Sequence, residues 1–274
     1  MKKRDRIYTV ILIAVLIAGL SLVLYPSFSD WWNSRVQTKL ISHYEEMLAE
    51  LSDEDYSEFR NAARLHNESL LGRSNPYLLS DEQQENYWNL LNPAGDGIMG
   101  YVEVPSIGVT LPIYHGTDDL ILQVAIGHLD WTSLPVGGES THTVISGHRG
   151  LPSARLFTDL DKLAVGDYFM LYILGETLTY EVDQIRTVLP SETDDLLIQE
   201  GKDLCTMVTC TPYGINTHRL LVRGHRVENL AQTQTVRVTA DAVIVEKLVV
   251  APFVLVPILL VMLAAMLISG KRKK

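Results

Sequence analysis

"CTMVTCTPYGINTHRLLVRG", residues 205–224, holds both cysteines of a 274-residue chain. "LCTMVTCTP" is rich in β-branched and apolar residues and reads as a strand; Pro212 and Gly214 then signal a turn. "RLLVRGHRV", from Arg219, is a second strand of alternating polarity, with "TPYGINTH" expected as an eight-residue hairpin loop between them. Antiparallel pairing would bring Arg219 back alongside Cys210. Along the first strand, five steps of about 3.3 Å separate the two cysteine Cα atoms by roughly 16 Å. A disulfide needs less than about 7 Å, and the odd spacing points the side chains to opposite faces. Two free thiols are therefore expected. Cys205 reads as core. Cys210 ends its strand beside a loop, where reacting groups can meet a substrate.

A free thiol is only a few per cent thiolate at neutral pH and needs a neighbouring base or cation. Among the eight histidines, two lie in "THTVISGHRGLPSARLF", residues 141–157. "THTVIS" alternates like a strand and "GHRG" breaks it, which sets His148 at a strand end flanked by glycines. His142 falls mid-strand and reads as a packed or surface histidine. His115, His128 and His225 are single histidines near strand termini and carry no argument alone. Arg219, by itself, is an ordinary surface arginine.

Working outward, short alternating segments separated by turn signals begin at Gly97, the pattern of a closed sheet. Before them, Leu40–Leu91 has helical spacing and many acids, which predicts an N-terminal helical layer. Two uncharged runs bracket the chain: Ile7–Tyr25 and Leu248–Ser269. Each is long enough to cross a hydrocarbon core of about 30 Å. The first exceeds a signal-peptide h-region and lacks a small-residue cleavage pattern after it, so an uncleaved anchor is expected. Pro252 and Pro257 in the second are tolerated in membrane helices. Basic tips flank both runs, which predicts both termini cytoplasmic and everything between them outside. Eight of the 23 basic residues but only one of the 33 acids sit in those tips, so the interior carries 15 against 32. That acidity excludes a nucleic-acid partner, whose phosphates need cations.

"SGHRG", "TCTPYG" and "NTHRLLVRG" together resemble the sortases, cysteine transpeptidases of Gram-positive cell surfaces. "DGIMGYVEVPSIGVTLPIYHGT", "GHLDWTSLPVGGESTHTVISGHRGLPSARLFTDLDKLAVGDYF" and "YEVDQI" are similar specifically to the class C, pilus-building branch, over about Asn92–Val227. The resemblance implies a mainly-β fold, the eight-stranded sortase β-barrel, and a two-span topology. It implies Cys210 as nucleophile, His148 as acid/base and Arg219 as transition-state cation, with Thr209 before the cysteine as a substrate-binding residue. Met207 and Val208 stand where leucines are common. The branch carries a lid with an Asp-Pro-aromatic anchor; here Asn75, Pro76 and Tyr77 occupy that place without the Asp.

The expected organisation is a cytoplasmic tip (1–6), a span (7–25), a helical region with a lid (26–91), the barrel (92–228), a linker (229–247), a second span (248–269) and a basic tail (270–274). The implied reaction cleaves LPxTG-type sorting signals between Thr and Gly and joins pilin subunits through a lysine. The implied partners are sorting-signal proteins, an acceptor pilin and the membrane. A housekeeping sortase acting on a cell-wall precursor and a catalytically silent, membrane-anchored binding module are the competing readings. A thiol oxidoreductase is disfavoured by the lack of C-x-x-C. No cofactor is expected: Asp118-Asp119 and Asp194-Asp195 read as solvated surface, and no EF-hand loop is present.

Overall fold

The structure, a computed structural model, describes residues 3–229. The expected second span, the tail and the linker beyond its first residue lie outside the described residues. Chain contacts divide the protein into two units, Met1–Trp31 with Gln232–Lys274, and Trp32–Ala231.

Helix α1 (Lys3–Ala49) covers the expected first span but does not stop at Tyr25; it runs through Pro26. It is the one helix among the described residues long and apolar enough to cross a membrane, with a mean hydropathy of 2.4 over its most apolar stretch and none of that stretch buried. Leu22 is 76% exposed, the state of an apolar side chain whose solvent is lipid.

In the second unit, α1 continues because its sequence becomes amphipathic. Gln37, Leu40, Tyr44 and Leu48 recur at helical spacing and face the barrel. The buried Tyr44 hydroxyl donates to Met99 O and accepts from Leu174 N, both at 2.9 Å. Helix α2 (Asp53–Ser69) opens with a Ser52/Asp55 capping box, and α3 (Asp81–Tyr87) with a Ser80/Gln83 box. Asn67 of α2 donates to Leu134 O (3.0 Å) and accepts from Leu134 N (2.7 Å), imitating one rung of a ladder. These three segments form the helical layer on the barrel.

The barrel strands are β1 (Ile98–Val104), β2 (Val109–His115), β3 (Ile126–His128), β4 (Thr141–Ser146), β5 (Tyr168–Ile173), β6 (Glu176–Val188), β7 (Asp203–Thr211) and β8 (His218–Val227). They close in the order β1-β2-β3-β4-β7-β8-β6-β5. The β2/β3 and β4/β7 pairs are parallel and the others antiparallel. Alternation sorts each strand between two faces. Ile145, Cys205, Met207 and Val222 belong to the interior core, whereas Val144, Val208 and Leu221 form a smaller cluster outside with Leu196 and Trp131. The β7–β8 loop is Pro212–Thr217, two residues shorter than expected, because Thr211 and His218 still pair.

Candidate active site

The register of three neighbouring strands builds the site. In the antiparallel β7/β8 pair, Cys210 lies directly opposite Arg219, the arrangement in which cross-strand Cβ atoms approach to about 4.5–5.5 Å. In the parallel β4/β7 pair, partners run in step from Thr141↔Asp203 to Ser146↔Val208. The pairing continues past the end of β4: Gly147 N donates to Val208 O at 3.0 Å, and the Thr209 hydroxyl donates to Gly147 O at 2.8 Å. Carried one step further, the same register brings His148 level with Cys210. Alternation along the two paired strands sets Cys210 with Val208 and Arg219 with Leu221 on the outer face, and the same alternation carried past β4 would set His148 in the row of Val144.

Cys210 and His148 are half-buried, and among the described residues no hydrogen bond joins thiol to imidazole. The Arg219 guanidinium donates to two nearby carbonyls, Asn216 O of the loop (3.3 Å) and His218 O at the start of β8 (3.1 Å). No carboxylate among the described residues neutralises it, so its charge is available to an incoming group. Cys205 sits in the opposite environment. It is fully buried in the core, and burial first, then the charge of Asp203, pushes its thiol well up.

Thr209, expected to meet substrate, is only 1% exposed and its hydroxyl is committed to Gly147. The side chain holds the histidine segment to the cysteine strand from inside. His142 is fully buried: Nδ1 lies 2.9 Å from Leu197 O and Nε2 lies 2.7 Å from the Thr206 hydroxyl. Burial pulls its pKa down to about 4, so the neutral ring donates to Leu197 and accepts from Thr206. It thereby pins the β6–β7 connection over the outer face of the sheet.

The Asn75-Pro76-Tyr77 segment belongs to a loop organised by Arg73. That guanidinium donates to Leu70 O, Pro76 O, Leu78 O and Trp131 O at 2.8–3.1 Å. Tyr77 packs edge-on against Trp131 with ring centroids 5.2 Å apart, and its hydroxyl donates to Asp194 at 3.4 Å. No hydrogen bond or ring contact among the described residues joins Tyr77 to Cys210, His148 or Arg219. The loop walls a cavity of about 470 Å³, lined by Leu71, Arg73, Pro76, Trp131, Leu196 and Ile198 among others. Of the acid pairs, Asp195 is paired with Arg186 at 2.7 Å and Asp118 stands at the N-cap of the short helix α4 (Asp119–Leu122). Among the described residues no group of three or more His, Cys, Asp or Glu side chains could hold a metal ion.

Sequence reasoning missed Arg73 and Arg149. Arg149 follows His148, and its guanidinium reaches Thr211, the Asp161 carboxylate and the Tyr213 ring. A cation between the histidine and a glycine was the only signal, and it does not say what the side chain touches.

The sortase-domain family profile matches residues 102–227, most of the barrel. Sortase C1 from Streptococcus agalactiae is 49% identical, with a TM-score of 0.68 over 70% of this chain and 100% of that one. A sortase C from Clostridium perfringens is 44% identical, TM-score 0.62, over 70% and 100%. Sortase D of Bacillus subtilis is 30% identical over 131 residues, 47% of this chain; the match spans 63% of that relative, under two thirds of its length. The chain belongs to the sortase family of transpeptidases, and among the solved structures it resembles are class C sortases.

Proposed function

We propose that the protein is a membrane-anchored cysteine transpeptidase that builds pili, with Cys210, His148 and Arg219 as its catalytic residues. The observation that supports this reading is the direct pairing of Cys210 with Arg219, with the segment before His148 fastened to the cysteine strand at Gly147.

The Cys210 thiolate attacks the threonine carbonyl of an LPxTG-type sorting signal. The charge that develops on the carbonyl oxygen is met by the unpaired Arg219 guanidinium; loss of such a donor costs about 10²–10³ in rate. The Thr–Gly bond breaks, the glycine amine leaves with a proton from His148, and a thioester remains on Cys210. A pilin lysine amine, deprotonated by His148, attacks the thioester; the C–S bond breaks, an isopeptide bond forms and the thiol is restored. The Clostridium perfringens relative was solved with a C-terminal cell wall sorting motif, which supports this substrate class. The cavity under the Arg73 loop shares Leu196 with the patch containing Val208, two residues from Cys210 on the same face. We assign it to the apolar residues that precede the threonine, with Asn75, Pro76 and Tyr77 as the segment that must yield to them. The α1 span anchors the catalytic domain outside the membrane; the uncharged run 248–269, outside the described residues, is assigned from its sequence to a second span, with both termini cytoplasmic.

Intact mass after incubation with an LPxTG peptide tests the first half. A thioester adduct present in wild type and Cys205→Ala, and absent in Cys210→Ala, is expected. Purified pilin added alone should then give covalent ladders; adduct without ladders would replace pilus assembly by attachment to a cell-wall precursor.

A further inference from the structure

The thiol and the imidazole are not hydrogen-bonded to each other, so their separation is set by whatever holds the two backbone ends together. Gly147 N to Val208 O and the Thr209 hydroxyl to Gly147 O tie the histidine segment to the cysteine strand, while Phe157 N to His148 O (3.2 Å) and Gly150 N to the Thr158 hydroxyl (3.1 Å) tie it to the segment that follows. Each fixes the histidine turn to one neighbour. Arg149 fixes it to several at once.

The Arg149 side chain is only 10% exposed. One arm of its guanidinium donates to Thr211 Oγ1 at 3.2 Å, the residue directly after Cys210. The other pairs with Asp161, in the 3₁₀ turn Leu160–Lys162. The guanidinium carbon lies 6.0 Å from the Tyr213 ring centroid. Tyr213 in turn closes on Gly150, where a Cβ would come within 2.9 Å of the ring and where φ is +78°. One side chain therefore joins the residue after the histidine to the residue after the cysteine. Its Nε is buried without a hydrogen-bond partner. A buried donor left unpaired costs stability, so packing alone is a poor reason for an arginine here. An apolar side chain would fill the space without that penalty.

We propose that Arg149 is the positioning residue of the acyl-transfer centre: its planar fork spans Thr211 and Asp161 and so holds His148 at working distance from Cys210. This rests on the reading of Cys210 and His148 given above. A lysine has the charge but not the fork, and a point ammonium cannot reach both partners in one geometry.

The test uses the full-length chain in detergent, comparing wild type with Arg149→Gln, Arg149→Lys, Thr211→Val, His148→Gln and the Arg149→Gln/His148→Gln double variant. The first readout is the rate and KM of thioester formation with an LPxTG peptide. The second, which needs no turnover, is the pH profile of Cys210 alkylation by iodoacetamide, since an imidazolium within about 4–6 Å favours the thiolate. Melting curves confirm that each variant is folded. Arg149→Gln and Arg149→Lys should both lose about 10–100-fold in kcat with KM within a few-fold of wild type. Their alkylation profiles should match that of His148→Gln, and the double variant should be no worse than His148→Gln alone. Thr211→Val, which removes only the acceptor, should show a smaller loss in the same direction. Full activity in Arg149→Lys, or a wild-type alkylation profile in Arg149→Gln, would overturn the proposal. Absence of a thioester in wild type would instead sink the acyl-transfer reading, and the alkylation arm would still decide whether Arg149 couples His148 to Cys210.

Discussion

Cys205 and Cys210 stand five residues apart on one strand and occupy different media. The first is sealed in the barrel, where burial holds it as a thiol; the second is half-buried on the outer face beside an arginine. Iodoacetamide at neutral pH should therefore label the folded protein once, at Cys210, and label Cys205 only on denaturation; peptide mapping distinguishes the sites. Thr209 offers a second residue-level expectation. Thr209→Val keeps the shape but removes the bond to Gly147 O, leaving a buried carbonyl unpaired at a cost of about 1–3 kcal/mol. A melting temperature several degrees lower is expected, and an unchanged one would mean that the clamp contributes nothing.

The loop that contains Asn75, Pro76 and Tyr77 is an element without secondary structure of its own, gathered by one cation and by the contacts of Tyr77 with Trp131 and Asp194. Arg73 satisfies four carbonyls, three of them within the segment 70–78. Arg73→Ala should release the loop while leaving the barrel intact. Limited proteolysis should then cut between residues 71 and 79 faster than in wild type. Thioester formation should rise several-fold if this segment covers the substrate cavity. Faster cleavage with no gain in rate would separate the loop from access to the site. The β6–β7 connection on the other side of the cavity is held differently, by His142 reaching Leu197 from within the sheet.

Across the whole molecule, buried histidines make stability depend on pH. Burial lowers His128 to about 3 and His142 to about 4, and His66 in α2 likewise to about 4. Each is neutral in the fold and takes a proton near pH 6.5 once unfolded. The unfolded chain thus binds more protons below that pH, and stability falls as pH drops from about 6.5 towards 4. For the two fully buried rings, His128 and His142, the slope is up to about 1.4 kcal/mol per pH unit each. Melting curves should show this acid limb, and His142→Gln should flatten it while lowering the melting temperature at pH 7. A flat profile between pH 6.5 and 4.5 would contradict the neutral assignment.

The sequence by itself determined what depends on near neighbours along the chain. Alternation in "THTVIS" and the β-branched, apolar content of "LCTMVTCTP" marked β4 and β7, the odd spacing separated the cysteines, and the apolar run from Ile7 marked the span, because side-chain direction and hydrophobic length are local properties. Cys210 and His148 stood out as strand-end residues beside turns, whereas Arg219 read as an ordinary surface arginine and took its expected role only from the resemblance. The hairpin length was not, since pairing of Thr211 with His218 depends on strand twist and on what closes the barrel. That α1 runs unbroken through Pro26 was not legible either, since the residues beyond it are held helical by the barrel face they cover. Tertiary structure alone decided that Thr209 faces inward, that Arg73 gathers the loop carrying Tyr77, and that Arg149 meets Thr211, Asp161 and Tyr213. These contacts join positions up to about sixty residues apart, and no local preference encodes which distant partner a long cation will find.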